Sequence, residues 1–334
     1  MSAAGRNGRD GLVDRAGSRL DRRQVVVGML AVAGTSLRLE ADEPPQLLAL
    51  GRAHTDFVQA QLVPARVLGA SNSQPGVSGA PLSYDARGTR AVTVIFRFPA
   101  NWSMTRPHYV NSDQEFLVLA GELEINGVTY RSGDYAYLPA GLPHTTRSSG
   151  PGATLLNFYE GEHLAVYEAA PPGMFKPEKL VQRLATTELP WRPATEPALA
   201  LLGDGVRQKT LRHDSTTGES TWLVDVPADR AGSEPARAAV THTAIEETFV
   251  LEGEVATPRG VMRRGAYVWR APGEPRGPFG SRTGYRMLIR SKGGALVTSK
   301  SGSAAAPPWN AAYDPHVPAA MRAYAFGQFD PAGI

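Results

Sequence analysis

The sequence predicts an all-β protein in which one β-domain occurs twice. Glycine and proline, with 35 and 27 residues, make up about a fifth of the 334-residue chain, which is typical of folds with many tight turns. Short alternating apolar runs follow one another from about residue 80, as half-buried strands do. Residues 115–141 also align without a gap on residues 247–273, and such a repeat indicates two copies of one unit.

Residues 1–44 are predicted to be a leader. Arg22 and Arg23 precede a short apolar stretch over 25–34, which resembles a twin-arginine signal that directs export of a folded protein. The stretch is too short for the roughly 20 residues that cross a bilayer. Asp21 before the arginine pair departs from the pattern. The alternative is a basic tail that runs into an ordinary helix of a cytoplasmic protein.

Charge and cysteine content exclude several classes of function. The net charge is +3, and residues 1–23 contain six Arg and three Asp, so that the remaining chain is balanced. We therefore expect no nucleic-acid partner, because such a partner requires a basic patch. The absence of cysteine excludes disulfides, thiolate metal sites and cysteine nucleophiles. A metal would have to bind histidine, carboxylate or amide groups.

The rest of the chain divides by composition and periodicity into five further segments. Apolar spacing predicts a helix over 45–62, and an Asn-Gly pair at 126–127 predicts a hairpin turn. The predicted segments are the helix and a loop (45–80), a first barrel domain (81–164), a Pro-rich linker (165–206), a second barrel domain (207–300) and a tail with one short helix near 319–324 (301–334).

The internal repeat keeps one offset across three glycines. Glu115–Glu122 matches Glu247–Glu254, and Gly133 and Gly141 match Gly265 and Gly273, each 132 residues further on. Glycines at strand ends suit turns that need a positive φ.

With these motifs the chain resembles the cupins. Gly133, Pro139-Ala140-Gly141 and His144 reproduce the second cupin motif, and His108 and Gly121 have the spacing of the first. The second copy is similar to the cupins related to zinc-binding anti-sigma-factor domains. The resemblance covers about 80–160 and 207–298 and implies two tandem jelly-roll (double-stranded β-helix) barrels, a bicupin.

The resemblance also implies metal positions, at which this chain departs from the usual three His and one Glu. The first copy has His108, Val110, Gln114 and His144, and the second has Val240, His242, Glu246 and Arg276. We expect a divalent ion (iron, manganese, nickel or zinc) in the first copy, on His108, His144 and the uncharged Gln114. The alternative is that the two histidines are relics in a ligand pocket.

Two neighbouring positions carry specific expectations. Glu115 should face away from the lumen if Gln114 faces into it, because side chains alternate along a strand, unless a bulge turns it inward. In the second copy Arg276 should pair with Glu246 and replace a metal. The remaining histidines are predicted to be structural or at the surface. Tyr135 and Tyr137 could be core residues or clamp an aromatic ligand.

Two classes of function remain open. One is a cupin oxidoreductase, a metal-dependent dioxygenase acting on a small carbonyl or phenolic, polyketide-like substrate, with His108 and His144 at its centre. Its metal-free variant is an isomerase or cyclase in which His108 or His144 is the general acid or base. The other class is a non-catalytic ligand or metal sensor. We expect a small-molecule partner and, as in many cupins, a homodimer.

Overall fold

The structure is a computed structural model, and it describes residues 52, 54–69, 74–230, 237–313 and 315. The strands of the first half are β1 (Thr55–Gln59), β2 (Arg66–Val67), β3 (Ser78–Tyr84), β4 (Val92–Phe98), β5 (Trp102–Met104), β6 (His108–Val110), β7 (Gln114–Ile125), β8 (Val128–Arg131), β9 (Asp134–Leu138), β10 (Pro143–His144), β11 (Arg147–Ser149) and β12 (Ala153–Tyr159).

The strands of the second half are β13 (Ala165–Val166), β14 (Val181–Ala185), β15 (Arg192–Pro193), β16 (Arg207–His213), β17 (Ser220–Val226), β18 (Arg237–His242), β19 (Ile245–Thr257), β20 (Gly260–Arg263), β21 (Ala266–Arg270), β22 (Tyr285–Lys292) and β23 (Thr298–Ala305). The helices are α1 (Pro197–Ala200) and the 3₁₀ turns Ala60–Leu62 and Pro177–Lys179.

The two copies have the same strand order, which confirms the predicted all-β fold with two tandem barrels. The large sheet of the first barrel runs β14-β9-β7-β12-β4-β3-β2, and that of the second runs β1-β21-β19-β22-β17-β16-β15. A smaller sheet accompanies each, β10-β6-β13 in the first barrel and β18-β23 in the second. Each barrel encloses its own apolar core.

The barrels exchange their first strands. Strand β1 precedes the first barrel in sequence but pairs with β21 of the second, while β14 precedes the second barrel and pairs with β9 of the first. This corrects the predicted helix over 45–62, whose described end forms β1 and a 3₁₀ turn. The edge of β21 offers unpaired backbone groups, and pairing with them outweighs the helical apolar spacing.

Two predicted boundaries also change. The predicted linker 165–206 contains β14, which completes the first barrel, and the second barrel extends through β23 to Ala305. The leader and the helix near 319–324 lie outside the described residues. Within the described ranges no helix is long and apolar enough to cross a membrane.

The repeated glycines are required by close backbone contacts. Gly121 and Gly253 have φ values of 75° and 73°. A Cβ atom on either would lie 2.1 Å from a carbonyl oxygen, that of Gly152 in the first barrel and that of Gly284 in the second. No other residue fits such a position.

A buried ionic network joins the outer faces of the two large sheets. Arg290 on β22 donates a hydrogen bond to Glu115 of the first barrel at 2.8 Å, another to Glu247 of the second, and a third to Glu160 at 2.5 Å. Its guanidinium carbon lies 4.1 Å from the ring centroid of Phe158. Phe158 occupies the position equivalent to Arg290 in the first copy, 132 residues earlier.

Two further contacts of each glutamate are reciprocal, and Glu247 also accepts a hydrogen bond from Arg52 at 2.7 Å. Each carboxylate accepts a hydrogen bond from a tyrosine of its own barrel and from a threonine of the other barrel. The donors are Tyr135 and Thr221 for Glu115, and Tyr267 and Thr93 for Glu247, with donor–acceptor distances between 2.5 and 2.7 Å. Burial alone would raise the pKa of Glu247, but Arg290 and Arg52 outweigh it and keep that pKa below its usual value.

We expect Arg290→Met to destabilise the protein by about 3–5 kcal/mol, because it leaves two buried carboxylates without their shared cation. Equilibrium unfolding in urea measures the loss. Arg263→Met is the matched control, since Arg263 pairs with Glu254 at an exposed edge, where ion pairs contribute little. Equal unfolding free energies for the two variants would contradict the role given to the network.

Candidate functional site

The structure places two of the predicted ligands of the first copy, His108 and His144, side by side. His108 on β6 and His144 on β10 are paired across the small sheet. Their ring centroids are 5.2 Å apart and the ring planes differ by 14°. Both side chains are buried, so the two imidazoles form a stacked pair inside the barrel.

Each imidazole keeps a nitrogen without a partner. The Nδ1 atom of His108 donates to the Arg106 carbonyl oxygen at 2.9 Å, which leaves Nε2 as a buried lone pair with no hydrogen bond. The Nδ1 atom of His144 also lacks a partner. Burial, and secondly the charge of Arg147, lowers the pKa of His144 well below its usual value, and burial likewise lowers that of His108. Both rings are therefore neutral near pH 7.

Gln114 presents a carbonyl oxygen inside the same barrel. Its Nε2 atom donates to Oδ1 of Asn157 at 2.8 Å, and its Oε1 atom is buried without a partner. Glu115, the next residue, faces the interface between the barrels, as alternation predicts. The pairing of β7 with β9 runs through Gln114 and Glu115 without a bulge, so the alternative that a bulge turns Glu115 inward is wrong.

The sequence interpretation missed two residues of this lumen. Asn157 on β12 fixes the amide of Gln114. Arg147 on β11 is 1% exposed, and none of its three guanidinium nitrogens has a hydrogen-bond partner. The sequence contains a signal for Arg147, since this residue begins the strand that directly follows the cupin motif ending at His144. It was not recognised, because the matching position of the second copy, 132 residues on, holds Phe279.

Tyr135 and Tyr137 do not line the lumen. Tyr135 donates to Glu115 in the interface, and Tyr137 donates to Asp113 at 2.6 Å. Both are core residues on the outer face of the large sheet. The aromatic side chains in the core of the first barrel are instead Phe96, Phe98, Trp102, Phe116, Tyr130 and Tyr159.

The side chains of the first lumen are of types that bind divalent first-row ions, but they carry no negative charge. One nitrogen of each neutral imidazole and the amide oxygen of Gln114 are buried without a partner, and these are atom types that a metal can use. However, the set contains no carboxylate, and among the described residues no three His, Asp or Glu side chains form a cluster that could hold a metal. The donor set therefore predicts weaker binding of a cation than a set with a carboxylate would give.

The second lumen is neutralised by its own side chains. Arg276 donates a hydrogen bond to Glu246, and Arg270 lies 4.0 Å from the same carboxylate. Burial would raise the pKa of Glu246, but the two arginines hold it at about 2. Nε2 of His242 is 3.5 Å from Oε2 of Glu246, yet burial first, and then Arg276, lowers the pKa of His242 to about 4.

Little space remains beside that group of charges. The cavity next to Glu246 and Arg276 has a volume of about 10 Å³ and is otherwise lined mainly by apolar side chains, among them Leu202 and Met287. A single water molecule needs about that much room. The second lumen is thus filled, and it has no room for a substrate.

Of the other described histidines, two lie at the surface and one packs against the core of the first barrel. His54 and His213 are exposed. The ring of His163 stacks on that of Tyr159 with centroids 4.5 Å apart. His316 lies outside the described residues.

Comparison with known proteins shows which family model the two repeated units match. The family model of the ChrR cupin-like domain matches residues 59–162 and again 181–292. These two segments correspond to the two barrels, and together they cover more than half of the chain. No curated protein matches the chain.

Solved structures share the fold at low sequence identity. A "putative dioxygenase" of Nostoc punctiforme is 17% identical, with 76% of this chain and 92% of that chain covered and a TM-score of 0.64. An oxalate decarboxylase of Bacillus subtilis is 13% identical, with 74% and 80% covered and a TM-score of 0.45. At these identities the likeness concerns the fold.

We expect Arg276→Ala to cost about 3–5 kcal/mol of stability, because Glu246 would remain buried without its main counter-charge. The free energy of unfolding and the melting temperature measure this loss. Arg282→Ala on the same loop is the control, since Arg282 is exposed and stacks over Trp309. A folded Arg276→Ala protein as stable as this control would contradict the structural role of the pair.

The buried His242 makes stability depend on pH. The unfolded chain protonates this residue near pH 6.5, while the folded protein does so only near pH 4. The contribution of this residue to stability is therefore lost as the pH falls from 6.5 to 4 and changes no further below that range. For this single group the loss amounts to about 3 kcal/mol. His242→Gln should flatten that part of the pH profile, as measured by urea unfolding at pH 7, 6, 5 and 4. A profile as steep as that of the wild type would contradict the assignment.

Proposed function

The chain belongs to the ChrR cupin-like family, and from that premise we propose that its first barrel is the active site of a metal-dependent cupin oxidoreductase. The proposed reaction class is oxygenation of a small carbonyl or phenolic substrate. One observation supports this assignment above the others. Nε2 of His108, Nδ1 of His144 and Oε1 of Gln114 are buried without a hydrogen bond, and buried polar atoms normally have partners.

The proposed metal ligands are Nε2 of His108, an imidazole nitrogen of His144 and Oε1 of Gln114. A bound divalent ion would supply Lewis-acid and redox chemistry and open positions for substrate and oxygen. The chain itself keeps both imidazoles neutral by burial, so that their lone pairs are available at neutral pH. The carbonyl of Arg106 fixes one ring by accepting from His108 Nδ1, and Asn157 fixes the amide of Gln114.

The second barrel has a structural role in this proposal. Glu246 and Arg276 occupy the positions equivalent to Gln114 and His144. Their ion pair fills the lumen, so the chemistry of the protein is assigned to the first barrel alone.

A second candidate function follows from the neutral charge of the donor set. A lumen with two neutral imidazoles, an amide and the buried cation of Arg147 also suits a metal-free site. There His108 or His144 would act as a general acid or base, or the barrel would bind a ligand without catalysis. Metal content separates these candidates.

We expect protein purified without chelators to contain about one iron or manganese ion per chain, measured by inductively coupled plasma mass spectrometry. His144→Ala should lose this metal with little change in melting temperature, because the His144 ring lacks a hydrogen bond through Nδ1. His213→Ala is the control, as its ring is exposed on β16.

Each result that contradicts this expectation points to a different alternative. Zinc at one ion per chain would favour the sensor, and the absence of any metal would favour the metal-free enzyme. If Arg276→Ala removes the metal from a protein that is still folded, or if His144→Ala retains it, the assignment of the site to the first barrel is wrong.

A further inference from the structure

Arg147 is the one buried arginine of the described residues that has no carboxylate. The other arginines that are less than 9% exposed each lie within 4.0 Å of an Asp or Glu oxygen: Arg52, Arg212, Arg270, Arg276 and Arg290. All three guanidinium nitrogens of Arg147 are buried and unpaired. Its aromatic neighbour Trp102 is distant, with the ring centroid 5.8 Å from the guanidinium carbon.

The guanidinium remains charged in this position. Burial lowers the pKa of Arg147 from its usual value, and only the hydroxyl groups of Tyr159 and Tyr130 oppose that effect. No described carboxylate is near enough to contribute. A buried charge without a partner is costly, and an arginine does not lose its proton at physiological pH. The first lumen therefore lacks one negative charge.

The second barrel shows which group is missing. There Glu246 supplies the carboxylate that pairs with an arginine, and the equivalent position in the first barrel is Gln114. Gln114 is isosteric with glutamate but uncharged. The same scaffold thus contains one lumen in which a carboxylate pairs with Arg276 and one lumen in which the cation, Arg147, stands at a different position and an amide occupies the place of the carboxylate.

We propose that Arg147 binds the carboxylate of a small organic acid, and that this acid is the substrate class of the first barrel. This inference rests on the proposed function in so far as the first barrel is taken as the active site, but it does not require the metal. The planar guanidinium matches a carboxylate with two parallel hydrogen bonds. The unpaired acceptors His108 Nε2 and Gln114 Oε1 lie in the same lumen, where they can accept from a hydroxyl on the acid or hold the metal beside it.

A carboxylate fits this lumen better than a phosphate does. The donor groups of Gln114 and His108 are already engaged, by Asn157 and by the Arg106 carbonyl. The hydroxyl of Tyr130 donates to the Gln182 carbonyl. The groups left over are Arg147 and the one N–H of the His144 ring, and their single positive charge balances a monoanion but not the roughly twofold charge of phosphate at neutral pH.

The test uses the full chain after removal of metal, in chloride-free buffer. Isothermal titration calorimetry measures the binding of glycolate, of its neutral analogue glycolamide and of inorganic phosphate. We expect glycolate to bind at least tenfold more tightly than the other two. Failure of glycolate to bind, or equal binding of glycolamide or phosphate, overturns the inference.

Two substitutions separate a binding role from a structural one. Arg147→Met should weaken glycolate binding at least tenfold and raise the melting temperature of the ligand-free protein, because it removes an unpaired buried charge. A merely structural arginine would give a lower melting temperature. Gln114→Glu should also weaken glycolate binding at least tenfold, since it adds a negative charge to the lumen, and this charge repels the acid.

The control is Arg131→Met, whose side chain is 62% exposed and pairs with Glu122 at the edge of the first barrel. It should bind glycolate as the wild type does. Wild-type affinity in Arg147→Met or in Gln114→Glu overturns the inference. Failure of the metal proposal gives a different result, namely a protein that binds glycolate through Arg147 but contains no metal.

Discussion

The pair of buried glutamates around Arg290 is the constraint on which the arrangement of both barrels depends. Glu115 and Glu247 occupy the same position in the two copies, and Arg290 pairs with both across the interface, while Arg52 adds a second cation at Glu247. Side chains alternate along a strand, so fixing these glutamates on the outer faces also fixes Gln114 and Glu246 on the inner faces. A shift of one residue in β7 or β19 would place a carboxylate of the network in a lumen and break the interface.

The same scaffold then gives two different lumens through a few substitutions. In the second barrel Glu246 and Arg276 neutralise each other and leave a cavity of about 10 Å³. In the first barrel the equivalents are Gln114 and His144, while a cation stands elsewhere, at Arg147. The difference between equivalent positions gives one lumen with an internal ion pair and one lumen with an unpaired cation. In the proposed function, stability and chemistry are thereby divided between the two copies.

The sequence predicted what depends on local periodicity and missed what depends on distant pairing. The repeat, the Asn126-Gly127 turn, the outward direction of Glu115 and the meeting of Arg276 with Glu246 all follow from spacing and strand alternation. The exchange of β1 and β14 between the barrels does not follow from spacing. Each of these strands pairs with a barrel that is distant in sequence, and its own apolar spacing does not identify it as a strand. Arg147 was missed because its burial depends on the whole barrel, and a lone arginine in a strand is ordinarily a surface residue.

The two proposals for the first lumen depend on each other through charge. A divalent ion beside the buried guanidinium would place like charges in a medium of low dielectric constant, where their repulsion is strong. An organic acid that contacts both removes this repulsion, so each ligand favours the binding of the other, and by thermodynamic linkage the effect is reciprocal. This linkage gives a physical reason for an uncharged glutamine at position 114. A glutamate at this position would add a negative charge to the lumen that contains Arg147 and would repel the acid, so the lumen would no longer select for an anion.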